Sequence, residues 1–384
     1  MANQESEQEI TVVKANRHNF GYVPALDGIR AFAVIAVMMY HARFVKGGFI
    51  GVDIFFVLSG FLITSLLVRE FNSQHRIDLR KFYLRRILRL APALVLFLAA
   101  FASMSMLVLD ADKSRSNLIE TFIALFYLSN WAWAFQIHPP QFLAHTWSLS
   151  IEEQFYILWP VLLIGLLRFT RSRRDVVLAI TILALSSTIL RAFLAIEGTS
   201  FIRLFNGLDT RADALLIGSL FGVIMSSNMI SDYQQSQFEK YLKFIAPLSA
   251  IALVSFCIFA RDNIQLYFWQ LFTIALLAAI IILDVIVSRE SVVKQVLTFK
   301  PFVWIGSISY GLYLWHFLTY KAIRLLGFDG IEVALIGTCL TFLIASASYY
   351  FVERPFLKLK NSSALTTADK SLQVTAVRLR PINN

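Results

Sequence analysis

The sequence contains little cysteine and little charge. Among its 384 residues there are two cysteines, Cys257 and Cys339, and 16% of the residues are charged, against about 25% in ordinary soluble domains. Two cysteines, both inside apolar stretches, exclude a disulfide framework and a cysteine-based metal site, so no metal is expected. Residues 1–20 are polar and lack the continuous apolar core of a signal peptide.

Hydrophobic residues are abundant instead. They make up 57% of the chain, with 34 Phe and 7 Trp, and long apolar stretches recur from end to end. Because a spanning helix needs about 20 mostly apolar residues, the sequence predicts an all-α, polytopic integral membrane protein with about ten transmembrane helices. The predicted spans are Leu26–Phe44, Phe49–Val68, Leu90–Leu109, Trp147–Leu167, Val176–Ile196, Ala212–Ile230, Leu242–Ala260, Gln265–Val287, Phe302–Tyr320 and Ile331–Val352.

The net charge of +10 suggests nucleic acid as one class of partner, but basic residues also hold membrane topology from the cytoplasmic side. The second interpretation fits better, and it places both termini in the cytoplasm. A further apolar stretch, Leu118–Phe135, is predicted to be re-entrant or interfacial, because a span there would put the arginines of residues 168–174 outside. We expect a polar extension at residues 1–20, a transmembrane domain at 21–360 and a polar tail at 361–384.

Charged and histidine side chains are costly at membrane depth, so those in the predicted spans suggest a site. Eleven residues at about 1.5 Å each place His41 roughly 16 Å outward of Arg30, in a hydrocarbon layer about 30 Å thick. His316 is predicted to lie in the same outer half. We expect one polar cavity, open to the outside, lined by His41, Asp53, Glu152, Arg211, Asp213 and His316, while His145 flanks the start of the fourth span. The alternative is a structural role: each histidine could be a packing residue, and Arg211 could form a structural pair with Asp213.

A basic segment is predicted at the cytoplasmic side, before the third span. Arg85 and Arg89 are four residues apart and Arg86 and Arg89 are three apart, so on a helix they are neighbours. The planar guanidinium fork binds phosphate groups well. An equally simple interpretation is a positive anchor that only fixes topology.

Several blocks, in order along the chain, resemble acyltransferase family 3. They are Leu26–Leu67, Phe82–Pro92, HTWSLSIEEQFYILWP at His145–Pro160, Thr210–Gly218, Ser309–His316 and Val352–Phe356. The resemblance extends from about residue 24 to residue 357. It implies a membrane-bound acyltransferase that uses an acyl-CoA, usually acetyl-CoA, and modifies sugars and other hydroxyl acceptors. Many members carry a further hydrolase-like domain after the helices, and we expect this chain to be a stand-alone membrane module.

The resemblance also implies residue roles. The family's Arg-and-His pattern matches Arg30 and His41, its Arg-x-x-Arg pattern matches Arg86 and Arg89, and its acidic positions match Asp53 and Glu152, with Glu153 a weaker match. We expect the catalytic residues to be His41, Asp53 and Glu152. The residues expected to bind acetyl-CoA are Arg30, Arg85, Arg86 and Arg89, and those left as other possible active-site residues are His145, Arg211, Asp213 and His316.

The expected reaction moves an acetyl group from cytoplasmic acetyl-CoA to a carbohydrate or related hydroxyl at the outer side of the cell (inner) membrane. His41 could act as a general base or as the carrier of a covalent acyl group, and Asp53 or Glu152 could orient its ring. Arg211 or the Trp147–Ser148 region could stabilise the oxyanion. Surface polysaccharide, lipopolysaccharide, a glycolipid and a small metabolite stay open as acceptors. The alternative function is a transporter or flippase for a lipid-linked or polysaccharide substrate, and the sequence shows no clear internal repeat of the kind many transporters have.

Overall fold

Helices form the whole of the described structure. The computed structural model describes residues 22–108, 110–227 and 229–359, and these contain no β-strand. The α-helices are α1 Pro24–His41, α2 Gly51–Gln74, α3 Leu79–Val108, α4 Ala111–Leu125, α5 Ser129–Ala134, α6 Trp147–Phe169, α7 Arg173–Ile196, α8 Phe201–Asn206, α9 Leu208–Ser226, α10 Asp232–Phe259, α11 Leu271–Val287, α12 Val292–Leu297, α13 Lys300–Ser307, α14 Ser309–Leu325 and α15 Gly330–Ser348. Short 3-10 turns precede α2 and α6, and single π-helical turns precede α11 and follow α15.

Every predicted span overlaps a helix, but Phe302–Tyr320 is divided at Ile308 between α13 and α14; the all-α membrane fold is confirmed. In the described part of the chain, seven helical segments are long and apolar enough to cross a bilayer. They are Gly48–Gln74, Leu79–Val108, Ala144–Phe169, Arg173–Ile196, Tyr233–Phe259, Leu266–Val287 and Gly330–Leu359. The count of ten spans and the cytoplasmic position of both termini stay predictions.

The predicted spans outside those seven correspond to α1, α9 and α14. Helix α1 carries Asp27 and Arg30, and α9 carries two aspartates and an arginine in its first two turns. Helix α14 has 17 residues and contains His316. Polar groups therefore concentrate on the helices with the weakest membrane signal. This pattern is typical of helices that build a site rather than face lipid.

Helix α2 lies at the centre of the fold. The apolar stretch of α2 that is long enough to span a bilayer is 78% buried, whereas that of α7 is 28% buried. It packs against α1, α9 and α11. The contact with α9 is close because Gly60 and Gly218 lack side chains: a Cβ on Gly60 would meet the carbonyl oxygen of Leu215, and one on Gly218 that of Val57. Small residues allow helix backbones in membranes to approach this closely.

The outer helices present apolar side chains on their exposed faces. Examples are Leu178 and Ile189 on α7, Phe244 on α10 and Leu343 on α15. A soluble protein rarely exposes so much contiguous apolar surface. These faces are therefore suited to contact lipid.

The stretch Leu118–Phe135 does not form one long helix. It is divided between α4 and α5 by a turn at Tyr127, whose φ is 54°. Neither helix reaches the length of a span, in agreement with the prediction that this stretch does not cross. The predicted extension at residues 1–20 and the predicted tail at 361–384 lie outside the described residues.

Candidate active site

Two cavities lie at the two ends of helix α1. The basic cavity, about 400 Å³, contains Arg30 from the first half of the helix. The histidine cavity, about 340 Å³, contains His41 from its last turn. The expected separation of these two residues along one helix thus places them in different cavities. Val52 and Tyr313 line both cavities.

Four arginines line the basic cavity: Arg30, Arg85, Arg86 and Arg89. Arg30 forms an ion pair with Asp27, with 2.7 Å between Nη1 and Oδ1. The guanidinium of Arg86 lies 4.2 Å from the centre of the Tyr156 ring. No residue in the described ranges forms an ion pair with Arg85, Arg86 or Arg89, the three arginines that α3 contributes to the cavity. They are therefore available to an anionic ligand.

Glu152 and Glu153 lie in the basic cavity, not beside His41. The carboxylate of Glu152 accepts hydrogen bonds from the hydroxyls of Ser59 and Tyr156. The structure thus divides the expected single polar cavity in two. Because Glu152 shares its cavity with the arginines, it is placed to shape the basic cavity rather than to orient the His41 ring.

Three histidines come together at the other cavity. The ring centre of His316 lies 5.1 Å from that of His41 and 5.4 Å from that of His145. His41 and His145 line the histidine cavity, and His316 packs behind them, fully buried. The sequence placed these residues in one layer, and the structure brings their rings into contact.

Main-chain carbonyls fix two of the histidine rings. Nε2 of His145 lies 3.0 Å from the carbonyl oxygen of Leu314, and Nδ1 of His316 lies 2.7 Å from that of Tyr313. Because a carbonyl can only accept, both nitrogens must carry the proton. The remaining nitrogens, Nδ1 of His145 and Nε2 of His316, are buried and have no hydrogen-bond partner in the part of the chain described. Each therefore presents a lone pair that a ligand or a proton could use.

His41 is held by its main chain rather than by its ring. Nη2 of Arg324 donates a hydrogen bond of 2.7 Å to the carbonyl oxygen of His41. The ring packs against Phe317, with 5.0 Å between ring centres, and against His316. Neither Asp53 nor Glu152 contacts the ring nitrogens. The position of His41 is therefore fixed while its ring nitrogens stay open to the cavity.

Aromatic side chains form most of the remaining wall of the histidine cavity. They are Tyr40, Phe49, Trp133, Trp147, Phe201, Phe205, Tyr267 and Phe317. The polar exceptions near the rim include Lys46 and Asp262. The indole nitrogen of Trp133 is buried and has no hydrogen-bond partner in the described ranges. Such a wall suits a ligand with apolar faces and a few polar groups.

Asp53, Arg211 and Asp213 belong to two buried ion pairs. Arg211 pairs with Asp53 at 2.8 Å, and Asp213 pairs with Arg191 at 2.7 Å. The alternative interpretation, a structural pair of Arg211 with Asp213, is therefore wrong, and Arg191 is the partner that the sequence did not indicate. These groups are buried behind the histidine cavity.

The guanidinium of Arg211 stacks against that cavity's wall, 4.7 Å from the Phe205 ring centre and 5.8 Å from that of Trp147. The geometry favours a supporting role for Asp53 and Arg211.

Tyr22, Asp27, Tyr156 and Tyr313 escaped the sequence analysis, whereas the Trp147–Ser148 region is already a candidate from the sequence. Asp27 neutralises Arg30, and Tyr22 donates to Asp27 at 2.7 Å. Ser148 and Tyr156 flank Glu152 at a spacing of four residues, so all three share one face of α6. That spacing was a usable signal. Nothing local marks Tyr313, because its importance depends on contacts with α2 and α6.

Comparisons with known proteins agree with this architecture. The family model described as "Acyltransferase domain" (Acyl_transf_3) matches residues 23–350. A putative peptidoglycan O-acetyltransferase, YrhL of Bacillus subtilis strain 168, is 35% identical over 352 residues, covering 87% of this chain and 55% of the relative. The peptidoglycan O-acetyltransferase OatA of Listeria monocytogenes is 35% identical over 360 residues, covering 90% and 57%.

A putative O-acetyltransferase of Staphylococcus aureus strain COL is 33% identical over 352 residues, covering 88% of this chain and 58% of the relative. The chain therefore spans a little over half the length of the curated relatives it matches. No solved structure gives a significant match. The match to the family model confirms the resemblance read from the sequence blocks.

Proposed function

This chain belongs to the acyltransferase 3 family, and from that membership we propose that it is an O-acetyltransferase of the cell (inner) membrane. The reaction moves an acetyl group from acetyl-CoA to a hydroxyl of a carbohydrate acceptor at the outer side. One observation supports the proposal: helix α1 joins a cavity lined by four arginines, three of them without an ion-pair partner in the described residues, to a cavity of histidines, and the two cavities share a wall. The cavity that we propose for the donor phosphates therefore adjoins the cavity that we propose for the reaction.

The basic cavity suits the phosphate end of a CoA thioester. Arg85, Arg86 and Arg89 lie in one cavity and have no carboxylate partner in the described part of the chain. Guanidinium groups bind phosphate oxygens in pairs and stay charged in partly buried surroundings. Arg30 would also bind the phosphates once its ion pair with Asp27 is broken. The rest of such a donor is a long, thin arm, and it can extend toward the wall that the two cavities share.

His41 is the residue best placed to move the proton. An acceptor hydroxyl in the histidine cavity would give its proton to a ring nitrogen as its oxygen bonds to the acyl carbon. The carbon–sulfur bond then breaks and the proton passes to the leaving thiolate. A covalent acyl group on His41, followed by transfer to the acceptor, balances equally well. In both routes, the free lone pairs of His145 and His316 can share the charge.

The acceptor class follows from the wall of the histidine cavity and from the relatives. Sugar rings have apolar faces that pack on aromatic side chains, and their hydroxyls need scattered polar partners. Eight aromatic residues with Lys46 and Asp262 near the rim offer both. Relatives named as peptidoglycan O-acetyltransferases support a cell-wall glycan over lipopolysaccharide.

The test uses the purified chain in lipid nanodiscs with acetyl-CoA labelled in the acetyl group. We expect transfer of label to soluble glycan fragments, or slow release of labelled acetate when no acceptor is present. Ester formation is checked by release of the label in mild base and by mass spectrometry. Binding or movement of a glycan with no acyl chemistry on any acceptor would contradict the proposal and favour the transporter alternative.

A further inference from the structure

The two cavities meet at a shared wall, which we call the neck. It consists of Val52 on α2 and Tyr313 on α14, the two residues that line both cavities. Ser148, at the start of α6, lines the basic cavity beside it. All three residues are buried. On the proposed function, a thioester that is bound in the basic cavity and reacts near His41 must lie at this neck.

Hydrogen bonds hold the Tyr313 hydroxyl in a defined position. It lies 2.5 Å from Oγ of Ser148 and donates to the carbonyl oxygen of His145 at 2.8 Å. Because a phenol has one proton and a carbonyl can only accept, the Ser148 hydroxyl must donate to the Tyr313 oxygen. The neck therefore contains two ordered O–H donors in series.

The same carbonyl gives this pair a second arrangement. Oγ of Ser148 lies 3.4 Å from the His145 carbonyl oxygen, which Tyr313 already uses. If Ser148 turns its proton to that carbonyl, the Tyr313 proton is released without leaving a buried donor unpaired. The cost of offering a hydrogen bond to a ligand is thus small, since buried donors are costly only when unsatisfied.

The ring of Tyr313 also lies next to the histidine cluster. Its centre is 5.4 Å from that of His316 and 5.7 Å from that of His145. His316 in turn contacts His41. The Tyr313 hydroxyl is therefore on the donor side of the reacting group, one ring away from His41.

We propose that Tyr313, supported by Ser148, stabilises the oxyanion formed during acyl transfer, an inference that rests on the proposed function. As the acceptor oxygen bonds to the acyl carbon, negative charge develops on the thioester carbonyl oxygen. The Tyr313 hydroxyl donates to that oxygen while Ser148 turns to the His145 carbonyl. When the carbon–sulfur bond breaks, the carbonyl reforms and both hydroxyls return to their resting partners.

The test compares Tyr313→Phe with Tyr320→Phe. Tyr320 lies two turns away on the same helix, is buried, lines neither cavity, and its hydroxyl lies 2.7 Å from Oγ1 of Thr338. Removal of one oxyanion donor lowers kcat by roughly 100- to 1000-fold in known cases, and we expect a loss of that order for Tyr313→Phe. For Tyr320→Phe we expect less than a threefold loss. Thermal unfolding of both variants checks that the fold is intact.

A second measurement separates catalysis from packing. A CoA analogue with a methylene in place of the thioester sulfur reports ground-state binding, and we expect Tyr313→Phe to bind it within threefold of the unmodified chain. Ser148→Ala leaves the Tyr313 hydroxyl in place, so we expect a smaller loss of kcat, about tenfold. Equal losses in kcat and analogue affinity would show a structural role and overturn the inference.

Full kcat in both Tyr313→Phe and Ser148→Ala would also overturn it. If the unmodified chain itself transfers no acetyl group, the proposed function fails instead. These outcomes are distinguishable because the unmodified chain is measured first, in the same nanodiscs.

Discussion

The basic cavity and the histidine cavity differ in how they are built. The basic cavity contains four arginines and three carboxylates, Asp27, Glu152 and Glu153. The histidine cavity is mostly aromatic, and its formal charges, Lys46 and Asp262, are exposed. In the basic cavity, opposite charges can balance each other. In the histidine cavity, neutral rings lie in mostly aromatic surroundings, where each hydrogen bond and each charge has a larger effect.

This difference indicates a division of labour between binding and chemistry. Arginines with few fixed partners suit a highly charged group that must bind and leave. His41 packs against His316, whose ring is held by a main-chain carbonyl, and this suits a proton transfer in which the ring position must not change. The two buried ion pairs behind the histidine cavity join α9 to α2 and α7. Substitutions in the two cavities should therefore affect different steps of the reaction.

The largest expected effect is that of His41→Ala. We expect loss of acetyl transfer by about 100- to 10,000-fold, the range for a general acid–base group, with donor affinity unchanged. The measurement pairs acetyl transfer with binding of acetyl-CoA to the same preparation. His75→Asn is the control, because His75 is exposed at the end of α2 and its positive φ of 52° suits asparagine. Full activity of His41→Ala would show that the reaction does not take place in the histidine cavity.

Sequence reasoning found most helices and the residues of both cavities but not their grouping. Apolar length predicts spans because each helix must satisfy its own backbone in lipid. Counting residues along each span predicts that Glu152 lies near His41, because both fall near the outer end of a span. Such a count gives the position of a residue along a helix but not the face of the helix on which it lies. Glu152 lies on the face that contacts Ser59 and Tyr156.

The ion pairs show the same limit. Arg211 and Asp213 are two residues apart, so they point to different sides of α9 and find different partners. Those partners are Asp53 on α2 and Arg191 on α7. Such pairs depend on which helices pack side by side, and spacing within one helix does not contain that information.

A smaller effect, confined to donor binding, is expected for the double variant Arg86→Gln/Arg89→Gln. A hydrogen bond to a charged group contributes about 1.5–3 kcal/mol, or roughly 10- to 100-fold in affinity for each arginine. We expect acetyl-CoA affinity to fall by at least tenfold, while turnover at saturating donor changes little. Titration of acetyl-CoA and transfer kinetics measure the two quantities.

The matched control for the double variant is Arg171→Gln/Arg174→Gln. These arginines are exposed in and just after the turn between α6 and α7, and their substitution removes the same charge. Equal loss of affinity in both double variants would indicate a general charge effect. Normal affinity in Arg86→Gln/Arg89→Gln would return the segment to the role of a topological anchor.

The smallest expected effect is that of Glu120→Gln, which tests how rigid the histidine cavity must be. The buried Glu120 carboxylate accepts hydrogen bonds from the main-chain nitrogens of Gln141, Phe142 and Leu143, at 2.7, 2.9 and 3.1 Å. This loop leads directly into His145. Since an amide has one oxygen where the carboxylate has two, we expect the loop to loosen and the KM for the acceptor to rise about three- to tenfold, or roughly 1 kcal/mol.

Donor affinity should stay unchanged, because the basic cavity has no contact with this loop's anchor. Glu197→Gln, at an exposed carboxylate, is the control. A change in donor affinity instead of acceptor KM would show that the two cavities respond as one, and the division of labour between them would have to be given up.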